Sequence, residues 1–332
     1  MNWDMSGHEW AVQLLSDHIA QGRTRHAYLF TGPHGIGKRT LALRFFQALN
    51  CLAPPAPGQF CGACSSCTRI QQMQHPDLDT LQAEQEGGTL KVDRIRSLQR
   101  NLALTPYDAR TRMALLLRFE EANPSASNAL LKTLEEPSPH VVLVLTAVSP
   151  ESLLPTIVSR CEVLRLSLSP LRAVSDYLQK YKGLPAEQAL LLAHLSAGRI
   201  GYASKLHEEP DRLEQRRAWL DDLIQLLNSS RVRRFSYADT LSKDKDLARQ
   251  VLQLWLSYWR DVMLRTVGAS APVLNRDRED EIEDLSGKLD VIEASKTVKA
   301  LERTITQIEN NVNPRVAIEV LLLDLPGLPY SS

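Results

Sequence analysis

The sequence predicts an α/β fold in its first half and an all-helical second half, and three observations support this division. Short apolar segments alternate with segments of helical periodicity up to about residue 167. The glycine-rich run GPHGIGKRT, residues 32 to 40, follows the first apolar segment and precedes a helical one. Beyond residue 167 the strand-like segments stop. We therefore expect a mostly parallel sheet with helices on both faces, followed by helices alone.

The individual elements of the first half follow from local patterns. Helices are expected over Lys38–Asn50, from an N-cap at Asp93 to about Leu102, from an N-cap at Asn123 to just before Pro137, and over a short stretch at Leu153–Ser159. Strands are expected at the short apolar segments 26–31, 77–81, 90–92, 113–117, 141–146 and 162–166. In the second half, Val251, Trp255, Tyr258, Trp259 and Val262 recur at helical spacing and predict a buried stripe.

Composition and charge are those of a globular protein that does not bind nucleic acid by bulk charge. The 332 residues suit two or three domains. Lys and Arg total 39, as do Asp and Glu, so the net charge is zero. A chain that grips nucleic acid alone usually has a basic excess. Any DNA contact should therefore be local or shared with partners.

The N-terminal stretch and the apolar content predict a cytoplasmic protein. Residues 1 to 15 include Asp4 and Glu9 and contain no long apolar run, so they do not resemble a signal peptide. No stretch approaches the roughly 20 apolar residues of a membrane helix. In the cytoplasm, clustered cysteines bind metal more often than they form disulfides.

The glycine-rich run predicts a phosphate-binding loop. Gly32, Gly35 and Gly37 allow positive φ and close approach of the backbone to a ligand. Amides at the start of the next helix point at an anion, and Lys38 adds a positive charge. The position between a strand and a helix is the context that such a loop requires.

The residues that would hold magnesium at this loop are altered. Arg39 stands where an ATPase places a hydroxyl, and a guanidinium cannot ligate a cation. Thr40 comes one residue late, about 100° further round the helix. After the strand 113–117, acids appear only at Glu120 and Glu121. These two acids either form a catalytic pair or, as we prefer, lie on a solvated turn.

A Pro-, Gly- and Cys-rich insert at residues 51–67 is expected to be non-helical and to bind metal. Cys51, Cys61, Cys64 and Cys67 have the spacing C-x9-C-x2-C-x2-C, which lets four thiolates converge on zinc. Four sulfurs leave no open coordination position, so the zinc would be structural. An iron–sulfur cluster and free thiols are the alternatives. Cys161 is distant and is expected to be a small buried apolar residue.

Several motifs resemble those of bacterial clamp-loader subunits of DNA polymerase III, which belong to the AAA+ class. They are the four-cysteine insert, HPDLDTL at 75–81, KVDRIRSL at 91–98, NALLKTLEEP at 128–137, SRC at 159–161 and NVNPRVAIEVLLLDLP at 311–326. The resemblance spans nearly the whole chain. It implies an AAA+ α/β domain over 1–167 with a zinc module at 51–67, a helical lid over 168–208, and a helical collar for oligomerisation over 209–332.

The same resemblance implies the partners and a loss of ATPase residues. The partners would be gamma or tau and delta subunits in a five-membered ring, with the sliding clamp and primer-template DNA reached through the complex and no membrane. The acidic pair of active members falls on Leu117 and Arg118, and the lid arginine falls on Gly201. Thr146 matches a polar sensor position. We expect no intrinsic ATP hydrolysis, while binding of ATP or ADP is left open.

The remaining functional hypothesis concerns Ser159 and Arg160. In the family this arginine resembles a finger that reaches the γ-phosphate held by the next subunit. The chain would then be a non-hydrolysing component of a DNA-directed DNA polymerase holoenzyme. The main alternative is an active ATPase motor of the gamma or tau kind, using Glu120 or Glu121 with Thr40. A DNA-binding zinc module is disfavoured because residues 51–67 contain no Lys or Arg.

Overall fold

The structure is a computed structural model that describes residues 3–85, 87–310 and 312–327. Asn311, the first residue of the last quoted motif, and the ends of the first and third predicted domains lie outside that range. The chain forms two compact units. One extends to Leu184 and includes Gly198–Tyr202, and the other contains Pro185–Ala197 and the residues from Ala203 onward. The division at 167 and 208 stays a prediction.

The first unit contains a parallel five-stranded sheet, as the sequence predicts. The strands are β1 (Ala27–Thr31), β2 (Leu78–Leu81), β3 (Arg112–Leu116), β4 (Val141–Ala147) and β5 (Glu162–Arg165), in the order β2-β3-β4-β1-β5. The strand predicted at 90–92 is wrong. Leu90 forms only an isolated bridge with Ala122, and the next helix already begins at Val92.

Helices cover both faces of the sheet because its side chains alternate between two apolar clusters. The helices that lie wholly in this unit are α1 (Glu9–Ala20), α2 (Lys38–Asn50), α3 (Ser65–Gln71), α4 (Val92–Leu102), α5 (Pro124–Glu135), α6 (Pro155–Val158) and α7 (Leu171–Lys182), of which α7 contributes to neither cluster. Tyr28 and Phe30 of β1 are buried in the cluster that includes Phe45 of α2. Leu29 is buried in the other cluster, together with Leu130 of α5. This alternation has the period of two that a strand imposes.

One of the two predicted N-caps is correct. Asn123 caps α5, since its side-chain oxygen accepts the N–H of Ala126 at 2.7 Å. Asp93 is not the cap of α4. Lys91 has the extended backbone of a cap residue, and Asp93 lies in the first turn, where its carboxylate is 3.5 Å from Arg96.

The second unit is helical in the part that the structure describes. Its helices are α8 (Ala186–Leu195), most of α9 (Ile200–Glu208), α10 (Asp211–Leu227), α11 (Arg231–Leu241), α12 (Lys245–Thr266), α13 (Glu279–Lys288), α14 (Val291–Glu309) and α15 (Pro314–Asp324). The predicted stripe on α12, including Trp255 and Trp259, is fully buried in the core of this unit. Among the described residues, no helix is long and apolar enough to cross a membrane.

Candidate functional site

The glycine-rich run connects the end of β1 to the start of α2. Gly32, Gly35 and Gly37 have φ of +143°, +77° and +112°, a range that side chains disfavour. A Cβ on Gly32 would lie 2.5 Å from the carbonyl oxygen of Leu166. Backbone conformation therefore favours glycine at all three positions, as predicted, and at Gly32 a lack of space favours it as well.

The lysine of this loop is satisfied by the loop itself. Lys38 is buried, and its Nζ donates to the carbonyl oxygens of Gly32 and Pro33. Burial lowers the pKa of Lys38 to about 8, against the opposing effect of the Glu120 carboxylate. The two residues that follow, Arg39 and Thr40, are exposed on the first turn of α2.

Arg118 stands beside the loop, at a position where the family resemblance implies a metal-binding acid. Arg118 follows β3 with φ of +49°, and its Nε lies 2.8 Å from the Glu121 carboxylate. The Arg118 N–H donates to the hydroxyl of Thr146, a buried residue of β4, at 3.0 Å. Leu117 donates its N–H to the carbonyl of Leu81 and offers no oxygen ligand from its side chain.

The two acids after β3 do not lie on a solvated turn, so the preferred sequence interpretation is wrong. They belong to a 3-10 turn at Phe119–Glu121, and their side chains are only 17% and 10% exposed, respectively. Burial raises the pKa of Glu120, and the charge of Lys38 acts in the opposite direction. Phe119 is fully buried and anchors the turn, a contribution that the sequence pattern did not reveal.

The beginning of α9 packs directly on the phosphate loop. Tyr202 donates its N–H to the carbonyl of Gly35 at 3.1 Å. A Cβ on Gly35 would lie 2.9 Å from the Cβ of Tyr202, and one on Gly201 would lie 2.7 Å from the Gly35 oxygen. Gly201 stands at the position expected for a lid arginine, and because it has no side chain it allows this close approach. Arg199 stacks on the ring of Tyr202, with 4.5 Å between the guanidinium carbon and the ring centre.

The four cysteines of the insert converge, as the sequence predicts. The sulfurs of Cys51, Cys61, Cys64 and Cys67 all lie within 4.8 Å of one another, and those of Cys51 and Cys61 are 3.5 Å apart. Four sulfurs around zinc, at Zn–S distances of about 2.3 Å, would be about 3.8 Å apart. The set thus has the number, type and spacing of ligands for a tetrahedral metal centre.

Backbone N–H groups support these sulfurs. The N–H of Cys61 donates to the sulfur of Cys51 at 3.2 Å, and that of Cys64 to the sulfur of Cys61 at 3.3 Å. Hydrogen bonds from the N–H groups of Cys64 and Ala63 lower the pKa of Cys61 to about 6, whereas burial raises the pKa of Cys67. Such bonds favour the thiolate form that binds metal. Contrary to expectation the insert is not wholly non-helical, because α3 begins at Ser65 with Cys64 as its cap.

Ser159 and Arg160 follow the short helix α6. The Arg160 side chain is 35% exposed, and its Nη2 lies 2.7 Å from the Glu135 carboxylate. Its Nη1 donates to the carbonyl of Thr156 at 2.9 Å. The Ser159 hydroxyl donates to the same carbonyl at 3.1 Å. Cys161 is partly buried, and burial raises the pKa of its thiol to about 12.

The predicted residues thus form three separate groups rather than one site. Lys38, Arg118 and Thr146 gather at the carboxyl ends of β1, β3 and β4. Lys38 and Cys51 stand at opposite ends of α2, about 20 Å apart at 1.5 Å per residue. Arg160 lies at the end of α6. Sequence reasoning missed the contact of Glu135 with Arg160, although Glu135 belongs to the quoted motif NALLKTLEEP.

A parallel sheet with a glycine-rich phosphate loop after its first strand, followed by helices alone, defines an α/β protein of the AAA+ type with an all-α C-terminal part. The model of a family described as DNA polymerase III, delta subunit, matches residues 7–170. A second, for the C-terminal part of the delta subunit, matches residues 210–326.

Two sequence relatives carry the name DNA polymerase III subunit delta′. The Bacillus subtilis protein is 28% identical over 318 residues, which is 95% of this chain and 94% of the relative. The Pseudomonas aeruginosa protein is 37% identical over 219 residues, which is 66% of each chain. A solved gamma subunit-related protein from Thermotoga maritima covers 95% of this chain and 97% of its own, at 16% identity and a TM-score of 0.46. The chain belongs to the delta-prime family of DNA polymerase III clamp-loader subunits.

Proposed function

We propose that this subunit does not hydrolyse ATP itself and serves in a ring with gamma or tau and delta subunits. There it would help to place the sliding clamp on primed DNA and supply Arg160 to the nucleotide held by a neighbouring subunit. The four cysteines would hold a structural zinc that stabilises the insert.

The observation that carries the non-hydrolysing role is the arrangement around Lys38. Its ammonium donates to carbonyls of its own loop, while Arg118 occupies the place of a metal-binding acid and pairs with Glu121. Phosphoryl transfer depends on a cation that neutralises the developing charge on the phosphates. Without oxygen ligands at Arg39 and Arg118, the pocket has no means to hold that cation in the usual place.

Exposure and constant charge support the role of Arg160. The side chain emerges at the end of α6, and a guanidinium keeps its charge and can grip phosphate oxygens with two parallel N–H groups. Residues 159–161 carry the SRC motif on which the family resemblance partly rests.

A second candidate function, an active ATPase motor, has one observation in its favour. Glu120 is a largely buried acid whose charge acts on Lys38. Steady-state ATP turnover by the purified chain separates the two functions. We expect none above background. Turnover that Lys38→Ala abolishes would establish the motor and remove our proposal.

The role in trans is tested by Arg160→Ala in a ring reconstituted with the partner subunits. ATP turnover should fall by about 10³-fold at the site that receives the finger, while assembly stays intact. Arg165→Ala is the matched control, because Arg165 is 73% exposed and pairs only loosely with Glu151, at 3.9 Å. Normal turnover and clamp loading with Arg160→Ala would make this arginine merely structural.

A further inference from the structure

We propose that Glu135 is a positioning residue that holds the Arg160 guanidinium in the orientation required for action in trans. The inference rests on the proposed function of Arg160. Glu135 is the last residue of α5, and its Oε1 lies 2.7 Å from Nη2 of Arg160, which follows α6. The pair therefore joins two residues that are 25 positions apart in the chain and belong to different elements.

Two hydrogen bonds, donated by different nitrogens of Arg160, fix the plane of its guanidinium. Nη1 donates to the carbonyl of Thr156, on the same turn as Arg160, and Nη2 donates to Glu135 on another helix. With Thr156 alone, the group could still rotate about a single hydrogen bond. These two bonds use two of the five N–H groups of an arginine. Nη1 also makes a long contact of 3.5 Å with the Ser159 hydroxyl, and the remaining N–H groups stay available for phosphate oxygens.

The pair is not needed to hold the fold together. The side chains of Arg160 and Glu135 are 35% and 50% exposed, and ion pairs exposed to this degree add little stability. Ordering a long side chain removes many rotamers, which folding does not require at this position. A group that must meet a phosphate from another subunit does gain from being held in advance.

In this pair, the orientation of the Arg160 guanidinium can be changed without changing its charge. A guanidinium is not deprotonated in proteins, so Arg160 stays cationic whether or not Glu135 is present. A change at Glu135 therefore alters where the charge lies and leaves its magnitude unchanged. A finger acts mainly on the transition state, so misplacing it should lower kcat and leave KM for ATP unchanged.

The test measures kcat and KM for ATP in the ring reconstituted with its partner ATPase subunits. Glu135→Ala should lower kcat about two- to fivefold, the effect of losing one exposed charged pair, with KM unchanged. Glu135→Gln should cause a smaller loss because its amide oxygen still accepts a hydrogen bond. Glu136→Ala is the matched control, since Glu136 is exposed and, among the described residues, makes no ion pair.

A double variant shows whether Glu135 acts through Arg160. Glu135→Ala combined with Arg160→Ala should be no slower than Arg160→Ala alone, and independent losses that multiply would overturn the inference. Wild-type or faster turnover with Glu135→Ala, when Arg160→Ala is slow, would also overturn it and leave the proposed function standing. Normal turnover with Arg160→Ala would remove the proposed function itself. An unchanged thermal midpoint of the free Glu135→Gln chain is expected, and a marked decrease would point to a structural role instead.

Discussion

The N–H of Tyr202 donates to the carbonyl oxygen of Gly35 across 3.1 Å, and this bond joins the start of α9 to the phosphate loop. The contact is possible because neither Gly35 nor Gly201 has a side chain to keep the two backbones apart. The conformation of the loop thus depends on the start of α9, which packs on it, as well as on its own glycines.

Gly35→Ala should destabilise the protein by about 2–5 kcal/mol. A non-glycine residue at positive φ costs about 1–2 kcal/mol. The added Cβ would also lie 2.9 Å from the Cβ of Tyr202, and overpacking of this kind costs about 1–3 kcal/mol. The free energy of unfolding, measured with urea, would show the loss.

Gly22→Ala is the control for the backbone contribution. Gly22 has φ of +64°, close to the +77° of Gly35, but a Cβ there would have nothing within 4 Å. Gly22→Ala should therefore lose only the part of the free energy of unfolding that comes from placing a side chain at positive φ. Equal losses for the two variants would mean that α9 does not press on the loop in solution.

Each chain should contain one zinc ion, measured by elemental analysis of the purified protein. Cys64→Ser should remove most of it, because three protein ligands bind zinc less tightly than four thiolates. Cys161→Ser should retain it, since Cys161 does not belong to the group of converging sulfurs. Full zinc content in the Cys64→Ser variant would disprove a four-sulfur site, and iron in the wild type would favour a cluster.

The sequence predicted the parallel sheet because its signals are local. Apolar runs such as residues 141–147 form strands buried on both faces, and a glycine-rich loop requires a strand before it and a helix after it. The cysteine spacing likewise predicted that the four sulfurs converge. Errors arose at element boundaries. Asp93 lies in the first turn of α4 rather than at its cap, and the run at 90–92 forms only a bridge from Leu90 to Ala122.

The environment of Glu120 and the pairing of Arg160 could not be predicted in this way. Both depend on tertiary packing. Phe119 is buried beside Glu120, whose Oε1 lies 4.0 Å from Nε2 of His34 in the glycine-rich run, and α5 ends where its last carboxylate meets Arg160. Periodicity indicates which face of an element is buried, but it does not indicate which polar side chains meet across elements.

Asp77 should make the stability of the first unit depend on pH. Its buried carboxylate accepts the N–H groups of Tyr107, Asp108 and Ala109 at 2.7–2.8 Å, and Arg112 lies 3.5 Å away. Burial alone would raise the pKa of Asp77, but these groups outweigh it and hold the pKa below its ordinary value. The carboxylate therefore adds stability above about pH 4, the unfolded value, and this stability is lost as pH falls through the folded pKa.

Asp77→Asn should cost about 2–4 kcal/mol at pH 7, and its difference from the wild type should shrink below pH 4. Asp93→Asn is the control, because Asp93 is 83% exposed and should change stability by less than about 1 kcal/mol. Urea unfolding at several pH values gives both quantities. A difference between Asp77→Asn and the wild type that stayed constant down to pH 2 would show that the carboxylate is not the titrating group.

Arg234→Met should be strongly destabilising in the second unit. The buried guanidinium of Arg234 donates to four backbone carbonyls, those of Leu226 and Leu227 at the end of α10 and of Leu322 and Leu325 at the end of α15. Burial lowers the pKa of Arg234. Methionine fills a similar volume but donates nothing, so these carbonyls lose a shared partner. We expect a loss of about 3 kcal/mol or more in the free energy of unfolding.

Arg233→Met is the matched control for this change, one residue away on the same helix. Arg233 is exposed, and its described hydrogen bond goes to the side chain of Gln225 at 2.6 Å. The same loss of charge should therefore cost no more than about 1 kcal/mol. Urea unfolding of the two variants and the wild type gives both losses. Similar losses for the two variants would mean that the carbonyls at the ends of α10 and α15 find other partners, and that Arg234 does not join these helices.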